Sequence, residues 1–242
     1  MEDYDRYSEW KGWGESQFMI VSDYERAYYG AEFSEISVKN ERVLEIGFGS
    51  GALLAWLRDQ GAELYGTEIS SQGKQLAARR GVTILDTDLT QAEALKGQFG
   101  VIAAFDVFEH LTHQQIRDLL DKAAILLRPG GHLIARFPNG ASPFGGIVQH
   151  SDVTHVTTLT KTKIGQLIVG KPFVIQRAGD TAIPRHGRFP ARIAKHGRAL
   201  LRRLVERGVS ALYGLHDMSF YHNLTIVLRR VDDVANDRSV QP

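Results

Sequence analysis

Val43-Leu44-Glu45-Ile46-Gly47-Phe48-Gly49-Ser50-Gly51 runs an apolar strand, broken by one acid, into three glycines spaced two apart. Ala52-Leu53-Leu54-Ala55-Trp56-Leu57 then continues with helical character. Glycines at such a turn let backbone N–H groups approach a ligand closely, and the helix that starts there offers its positive end to anionic groups. A nucleotide-like cofactor is therefore expected over the turn. Gly47, Gly49 and Ala52 also satisfy the dinucleotide pattern G-x-G-x-x-G/A, so the glycines alone leave two cofactor classes open. Glu68, at the end of the next strand, suits ribose hydroxyls in either class. Glu45 separates them: a carboxylate two residues before the first glycine is out of place in a buried dinucleotide strand but suits a ligand with a cationic amino-acid tail.

Outward from this turn, short β-rich runs alternate with helical patterns, the signature of βαβ units around a parallel sheet. Strands are expected at Arg42 to Ile46, Glu63 to Glu68, Val82 to Leu85, Val101 to Phe105 and His132 to Phe137. Helices are expected at Ala52 to Asp59, Ser71 to Arg79 and Gln114 to Leu127, with a short turn near Leu89 to Leu95. Ile116, Leu119, Leu120, Ala123 and Leu127 form one stripe, as in a helix laid on a sheet. After Pro138 the stretch PNGASPFGG reads as a long loop. A helix over Lys161 to Val169, a strand near Phe173 to Gln176 and a last strand from Ser219 to Leu228 follow. Residues 1–40 read as an aromatic helical arm, 41–242 as the α/β domain, and 185–213 as a basic helical insertion within it.

Four features of this order resemble class I S-adenosylmethionine-dependent methyltransferases: E-x-G-x-G-x-G at Glu45 to Gly51, the acid Glu68, Asp88-Leu89 after the third strand, and Leu127-Arg128-Pro129-Gly130-Gly131 before the fifth. The resemblance spans roughly residues 41–138, and within the class the bacterial polysaccharide and small-molecule O-methyltransferases are the nearest match. It implies a doubly wound seven-stranded sheet of order 3-2-1-4-5-7-6 with the seventh strand antiparallel. It also implies S-adenosylmethionine held by Glu45, Gly47, Phe48, Gly49, Gly51, Glu68, Ile69, Asp88, Leu89 and Phe105.

Phe105-Asp106-Val107-Phe108-Glu109-His110-Leu111 follows the fourth strand, where ligands of open α/β sheets react. Methylating a hydroxyl requires removing its proton, and a neutral histidine suits that task. His110, His155 and Glu109 are the catalytic candidates. Asp106-x-x-Glu109-His110 with distant His155 is also similar to the acid-x-x-Glu-His…His arrangement of ubiquinone-pathway and small-RNA 3′-end methyltransferases, which implies a divalent metal. Here Asp106 replaces the usual Glu and shortens that arm. The alternative is that Asp106 and Glu109 only cap a helix. The Asp152-x-Thr154-His155 stretch resembles methyltransferases of bacterial polysaccharide gene sets and points to a sugar or polyol hydroxyl. His150 reads as an ordinary loop histidine.

With 29 Lys and Arg against 28 Asp and Glu, bulk charge demands neither nucleic acid nor membrane. The absence of cysteine removes disulfides, thiolate metal sites and thiol nucleophiles together. No run reaches the roughly 18 apolar residues of a spanning helix, and the acidic, aromatic start is unlike a signal peptide, so a cytoplasmic protein is expected. Locally the balance is different. Arg185, Arg188, Arg192, Lys195, Arg198, Arg202, Arg203 and Arg207 face the single acid Glu206. Ile193, Leu200, Leu201, Leu204, Val209 and Leu212 fall on one stripe between them. This basic amphipathic helix reads as lying on the domain or on a dimer mate, or as attracted to an anionic membrane face or a phosphate-bearing substrate. RNA is disfavoured, because no stacking-aromatic motif accompanies the charge. The N-terminal aromatics, among them Tyr4, Tyr7, Trp10, Trp13 and Tyr24, are expected mainly to cover the core, with some closing over the cofactor. The competing readings are an RNA 3′-terminal ribose methyltransferase, an NAD-dependent dehydrogenase and a cofactor-binding module without turnover.

Overall fold

Residues 43 and 44 point to opposite faces of the first strand, and each meets its own apolar layer, because successive side chains of a strand alternate. The computed structural model describes residues 15–184, 189–215 and 218–232, with residues 189–196 described by their helical backbone only. Tyr4, Tyr7, Trp10, Trp13, Arg185, Arg188 and the side chains of Arg192, Ile193 and Lys195 lie outside the described residues.

The strands are β1 (Arg42–Ile46), β2 (Glu63–Thr67), β3 (Thr83–Ile84), β4 (Phe99–Phe105), β5 (Leu127–Pro138), β6 (Phe173–Asp180) and β7 (Asn223–Arg230). They form one sheet in the order β3-β2-β1-β4-β5-β7-β6. β1 to β5 run parallel, and β7 runs antiparallel to both β5 and β6. The helices are α1 (Asp23–Glu32), α2 (Ala52–Asp59), α3 (Ser71–Arg79), α4 (His113–Leu126), α5 (Gly145–Gln149), α6 (Lys161–Leu167) and α7 (Phe189–Tyr213). On one face Leu44, Ile102, Leu133 and Ile226 meet Ile116, Leu120, Ala123 and Leu126 of α4. On the other, Val43, Val101, Ile134 and Val227 meet Leu53, Leu54 and Leu57 of α2, together with Phe18, Met19 and Phe33 from the N-terminal segment. Both faces are covered, so β1 and β4 are buried almost throughout. Leu127 is fully buried in this core as the periodicity expects, but it opens β5, and α4 ends on the equally buried Leu126.

The local signals that start these helices differ in kind. α1 begins with a capping box in which the Glu25 N–H donates to Ser22 Oγ at 3.3 Å and the Ser22 N–H donates to Glu25 Oε2 at 2.8 Å. Thr112 and Gln115 form the same device on α4. α2 starts at Gly51 with φ 72° and no side-chain cap, which leaves its first-turn N–H groups to other acceptors.

Several boundaries depart from the sequence pattern. β5 begins at Leu127, where Phe99 pairs with Leu127 and the register then shifts before Val101. The loop after Pro138 contains α5. Gly145 there stands so close to the Asn139 carbonyl that a Cβ would lie 1.8 Å from its oxygen. β7 begins at Asn223, because the Phe220 N–H donates to Glu206 Oε1 at 2.6 Å and the Tyr221 N–H to Ser219 Oγ at 3.0 Å, which takes these amides out of the ladder. The apolar stripe of α7 does not lie on the domain: Leu200, Leu201, Leu204 and Leu212 are exposed, and Arg202 and Glu206 face inward instead. Among the described residues no helix is long and apolar enough to cross a membrane.

Glu32 fastens the N-terminal helix to the far edge of the sheet. Fully buried, it accepts from the Ala182 N–H at 2.7 Å, Thr225 Oγ1 at 3.0 Å and Arg177 at 3.2 Å. Truncation would take the acceptor from the Ala182 N–H and from Thr225 Oγ1 and leave the Arg177 guanidinium with only the Glu32 carbonyl, at 2.8 Å. Glu32→Ala is expected to lower unfolding free energy by about 3 kcal/mol in urea denaturation, with Glu32→Gln losing clearly less.

Candidate active site

The turn from β1 to α2 is built for close approach. Gly47, Gly49 and Gly51 have φ of 65°, 49° and 72°, a region that side chains rarely tolerate. The Gly47 N–H donates to the Thr67 carbonyl at 2.8 Å, and the Gly49 N–H donates to Glu68 Oε2 at 2.9 Å. Glu68 is fixed further by the Ile69 and Ser70 N–H groups on Oε1, at 2.7 and 3.1 Å. Glu45 lies beneath the turn, 5% exposed, and its Oε2 has no hydrogen-bond partner. Burial and the nearby Glu68 push its pKa well above the carboxylate range, against a backbone hydrogen bond from Leu54 and the more distant Arg136. A buried, unsatisfied carboxylate oxygen beside a glycine cradle fits a ligand that carries a cationic amino group and an uncharged face.

The other expected donor-site residues are placed unequally. Ile69 is exposed beside Glu68, and Asp88 is exposed with its Oδ1 accepting from the Thr90 N–H at 3.2 Å. Leu89, at φ 53°, has its side chain buried in the core. Phe48 likewise turns inward onto Gly66 and Phe18, which leaves its backbone to the turn. Phe105 is half-buried between Tyr29, Phe33 and the Arg136 guanidinium.

Beyond β4, Phe108–His110 forms one short 3-10 turn that the 150s loop folds down upon. The Val156 and Thr157 N–H groups both donate to the Glu109 carbonyl, at 2.9 and 3.0 Å, and Thr157 Oγ1 donates to the Leu111 carbonyl at 2.6 Å. This clasp brings residues 45 positions apart together: the His110 and His155 rings stand 4.7 Å apart, edge to face. Glu109, His110 and His155 present ligand-type atoms within 4.8 Å of one another.

Hydrogen bonds fix which nitrogen each ring offers. Thr154 Oγ1 donates its single proton to Asp152 Oδ1 at 2.6 Å, so at 2.9 Å from His110 Nδ1 it accepts, and Nε2 of the neutral ring carries the lone pair. His155 Nδ1 donates to the Gln149 carbonyl at 3.1 Å, so Nε2 is the nitrogen not committed to that bond. Burial and the neighbouring His155 hold the His110 pKa below the ordinary imidazole value, so His110 is neutral at pH 7. Burial first, then Asp106, push Glu109 up to about 8, and its Oε2 is without a hydrogen bond.

Asp106 is not part of this cluster. Held at φ 56°, it accepts from Arg136 Nε at 2.9 Å and from a second guanidinium nitrogen, while Arg136 also donates to Tyr28 Oη at 3.0 Å. The shorter arm that Asp gives in place of Glu is thus spent on an ion pair. His150 is exposed. Arg136 itself escaped the sequence reading, although a cation amid Ala135 and Phe137 at a strand end was a visible signal. It lines a cavity of about 230 Å³ with Tyr24, Tyr28, Tyr221, His222 and Asn223.

A family model described as a methyltransferase domain matches residues 23–168, more than half of the chain. An uncharacterized methyltransferase of Geobacillus kaustophilus is 32% identical over 132 residues, covering 50% of this chain and 61% of that protein. The ubiquinone biosynthesis O-methyltransferase of Pectobacterium atrosepticum is 28% identical over 100 residues, covering 38% of this chain and 41% of that protein. The chain thus spans about three fifths or less of the length of these relatives. Among solved structures, an S-adenosylmethionine-dependent methyltransferase from Archaeoglobus fulgidus has the same fold, with TM-score 0.61, 14% identity, and coverage of 84% of this chain and 92% of its own. With sheet order, glycine turn and family match in agreement, the chain belongs to the methyltransferase-domain family, in the class I S-adenosylmethionine-dependent fold.

Proposed function

We propose that this protein transfers the methyl group of S-adenosylmethionine to a hydroxyl oxygen of a sugar or polyol. The observation that carries this reading is neutral His110, its Nε2 carrying the lone pair, set edge to face against His155 at the reacting end of the sheet. When bound, S-adenosylmethionine supplies an electrophilic methyl on a sulfonium. Glu45 receives its ammonium group through the orphaned Oε2, Glu68 its ribose hydroxyls, and the Gly47 to Gly51 backbone permits the close approach. Asp88 and the apolar surface of Ile69 border the nucleoside end. His110 Nε2 accepts the hydroxyl proton as the acceptor oxygen attacks, and the Asp152–Thr154 relay steadies the imidazolium that results. His155 stands against that ring, and the Glu109 carbonyl holds the loop in place. The cavity lined by Tyr24, Tyr28, Tyr221, Arg136, His222 and Asn223 offers aromatic and polar contacts to a polyhydroxylated acceptor. The O-methyltransferase name of the Pectobacterium relative is consistent with oxygen as the acceptor atom.

A second reading rests on one observation, the convergence of Glu109, His110 and His155. Two imidazole lone pairs and an unpaired carboxylate oxygen are ligands suited to a divalent transition metal, which would lower the pKa of a bound hydroxyl. EDTA distinguishes the two readings. Turnover unchanged in excess chelator leaves the histidines as bases; turnover lost and restored by Zn²⁺ or Mn²⁺ assigns the trio to a metal.

Calorimetric titration tests the donor site. Glu45 is protonated more readily than a free carboxylate and must ionise to receive an ammonium, so binding releases a proton and affinity rises with pH above the carboxylate range. Glu45→Gln is expected to abolish that dependence and to weaken binding about tenfold or more. His110→Ala is expected to lower kcat about 10²- to 10⁴-fold with donor affinity retained. Because the base acts neutral and its pKa is depressed, the acid limb of the wild-type kcat profile should fall below the ordinary imidazole value of about 6.5.

A further inference from the structure

Helix α7 turns Arg202 and Glu206 inward and its leucines outward. Arg202 donates to Asp180 Oδ2 at 2.9 Å and lies over the Tyr221 ring at 3.5 Å, while buried Glu206 accepts from the Phe220 N–H at 2.6 Å. On the outer side Leu200, Leu201, Leu204, Val205 and Leu212 are 46% to 78% exposed. Five large apolar side chains on one face of a helix mark a contact surface.

Charge selects what makes that contact. Arg198, Arg203 and Arg207 are exposed and, by helical spacing, flank the leucines on both sides. Between residues 185 and 215 eight cations face the single acid Glu206, and that acid is committed to the domain. A second copy laid on the same face would bring arginines onto arginines with no outward carboxylate from the segment to meet them. The partner must be apolar in depth and anionic at its surface, which describes a leaflet of anionic lipid: acyl chains take the leucines and headgroups take the arginines.

We infer that α7 is an interfacial helix that docks the protein on an anionic membrane surface. Pro184 precedes α7 in the chain and Tyr221 follows it, and both line the 230 Å³ cavity, so the docking helix is tied at both ends to the cavity wall.

The test is co-sedimentation of the full chain with phosphatidylcholine vesicles prepared with or without phosphatidylglycerol. Binding is expected only with the anionic lipid, weakening as salt rises. Arg198→Glu with Arg203→Glu and Arg207→Glu should lower partitioning at least about tenfold, and Leu201→Asn with Leu204→Asn should do so about as strongly. None of these residues touches the donor turn, so unchanged S-adenosylmethionine affinity by calorimetry shows that the variants are folded and reads the donor site independently. The inference is overturned if neither vesicle binds, or if binding ignores both variants. It is equally overturned if light scattering shows a dimer that the leucine changes dissolve, or if single-stranded RNA binds where vesicles do not.

Discussion

A Cβ at Gly51 would lie 2.7 Å from Met19 Cγ, and one at Gly47 would lie 3.0 Å from Val107 Cγ2. The turn between β1 and α2 is therefore closed in from two sides, by the N-terminal segment and by the residues that follow β4. Positive φ at three positions within five residues keeps the backbone exposed to a ligand while its flanks are packed. The Met19 N–H donates to the Ser50 carbonyl at 2.8 Å, which ties the N-terminal segment to the turn. The same glycines that let a cofactor approach thus let the protein fold over the place where it binds.

The carboxylates inside the molecule are met by different partners. Glu68 is held in place by three backbone N–H groups. Glu45, a short distance away, has burial and Glu68 against it and is pushed upward. Asp106 is claimed by Arg136, which leaves Glu109 in a desolvated position beside a like charge. Such sorting is what an active site needs, because a group can accept an ammonium, a metal or a proton only if its own environment has not already satisfied it.

The spans of β1, α2 and α3 were legible because each is bounded by punctuation that acts locally: Gly47 to Gly51 after β1, Gly61 after α2, and a Ser70 cap before α3; the sheet order was legible only through the resemblance to class I methyltransferases. Glu45 and Glu68 were legible because a carboxylate next to a glycine turn has few structural reasons to be there. The reacting end was half legible. His110 and His155 stood out as residues, but their meeting depends on two amides donating to one carbonyl, and backbone hydrogen bonds leave no mark in side-chain identity. Leu89 and Phe48, expected at the cofactor, have their side chains turned into the core, a direction that adjacency along the chain does not give.

Helix α7 shows how far periodicity can be trusted. Its apolar stripe identifies an amphipathic helix, and ordinary experience places that stripe against the domain. What decides the orientation is Arg202. Its guanidinium is offered Asp180, Glu206 and the face of Tyr221 at once, while Ser219 also bonds Asp180 and so braces the acceptor. Leaving that carboxylate pair half-buried without its cation would cost several kcal/mol, more than burying one or two leucines returns. The polar anchor fixes the helix, and the leucines are left for whatever lies outside.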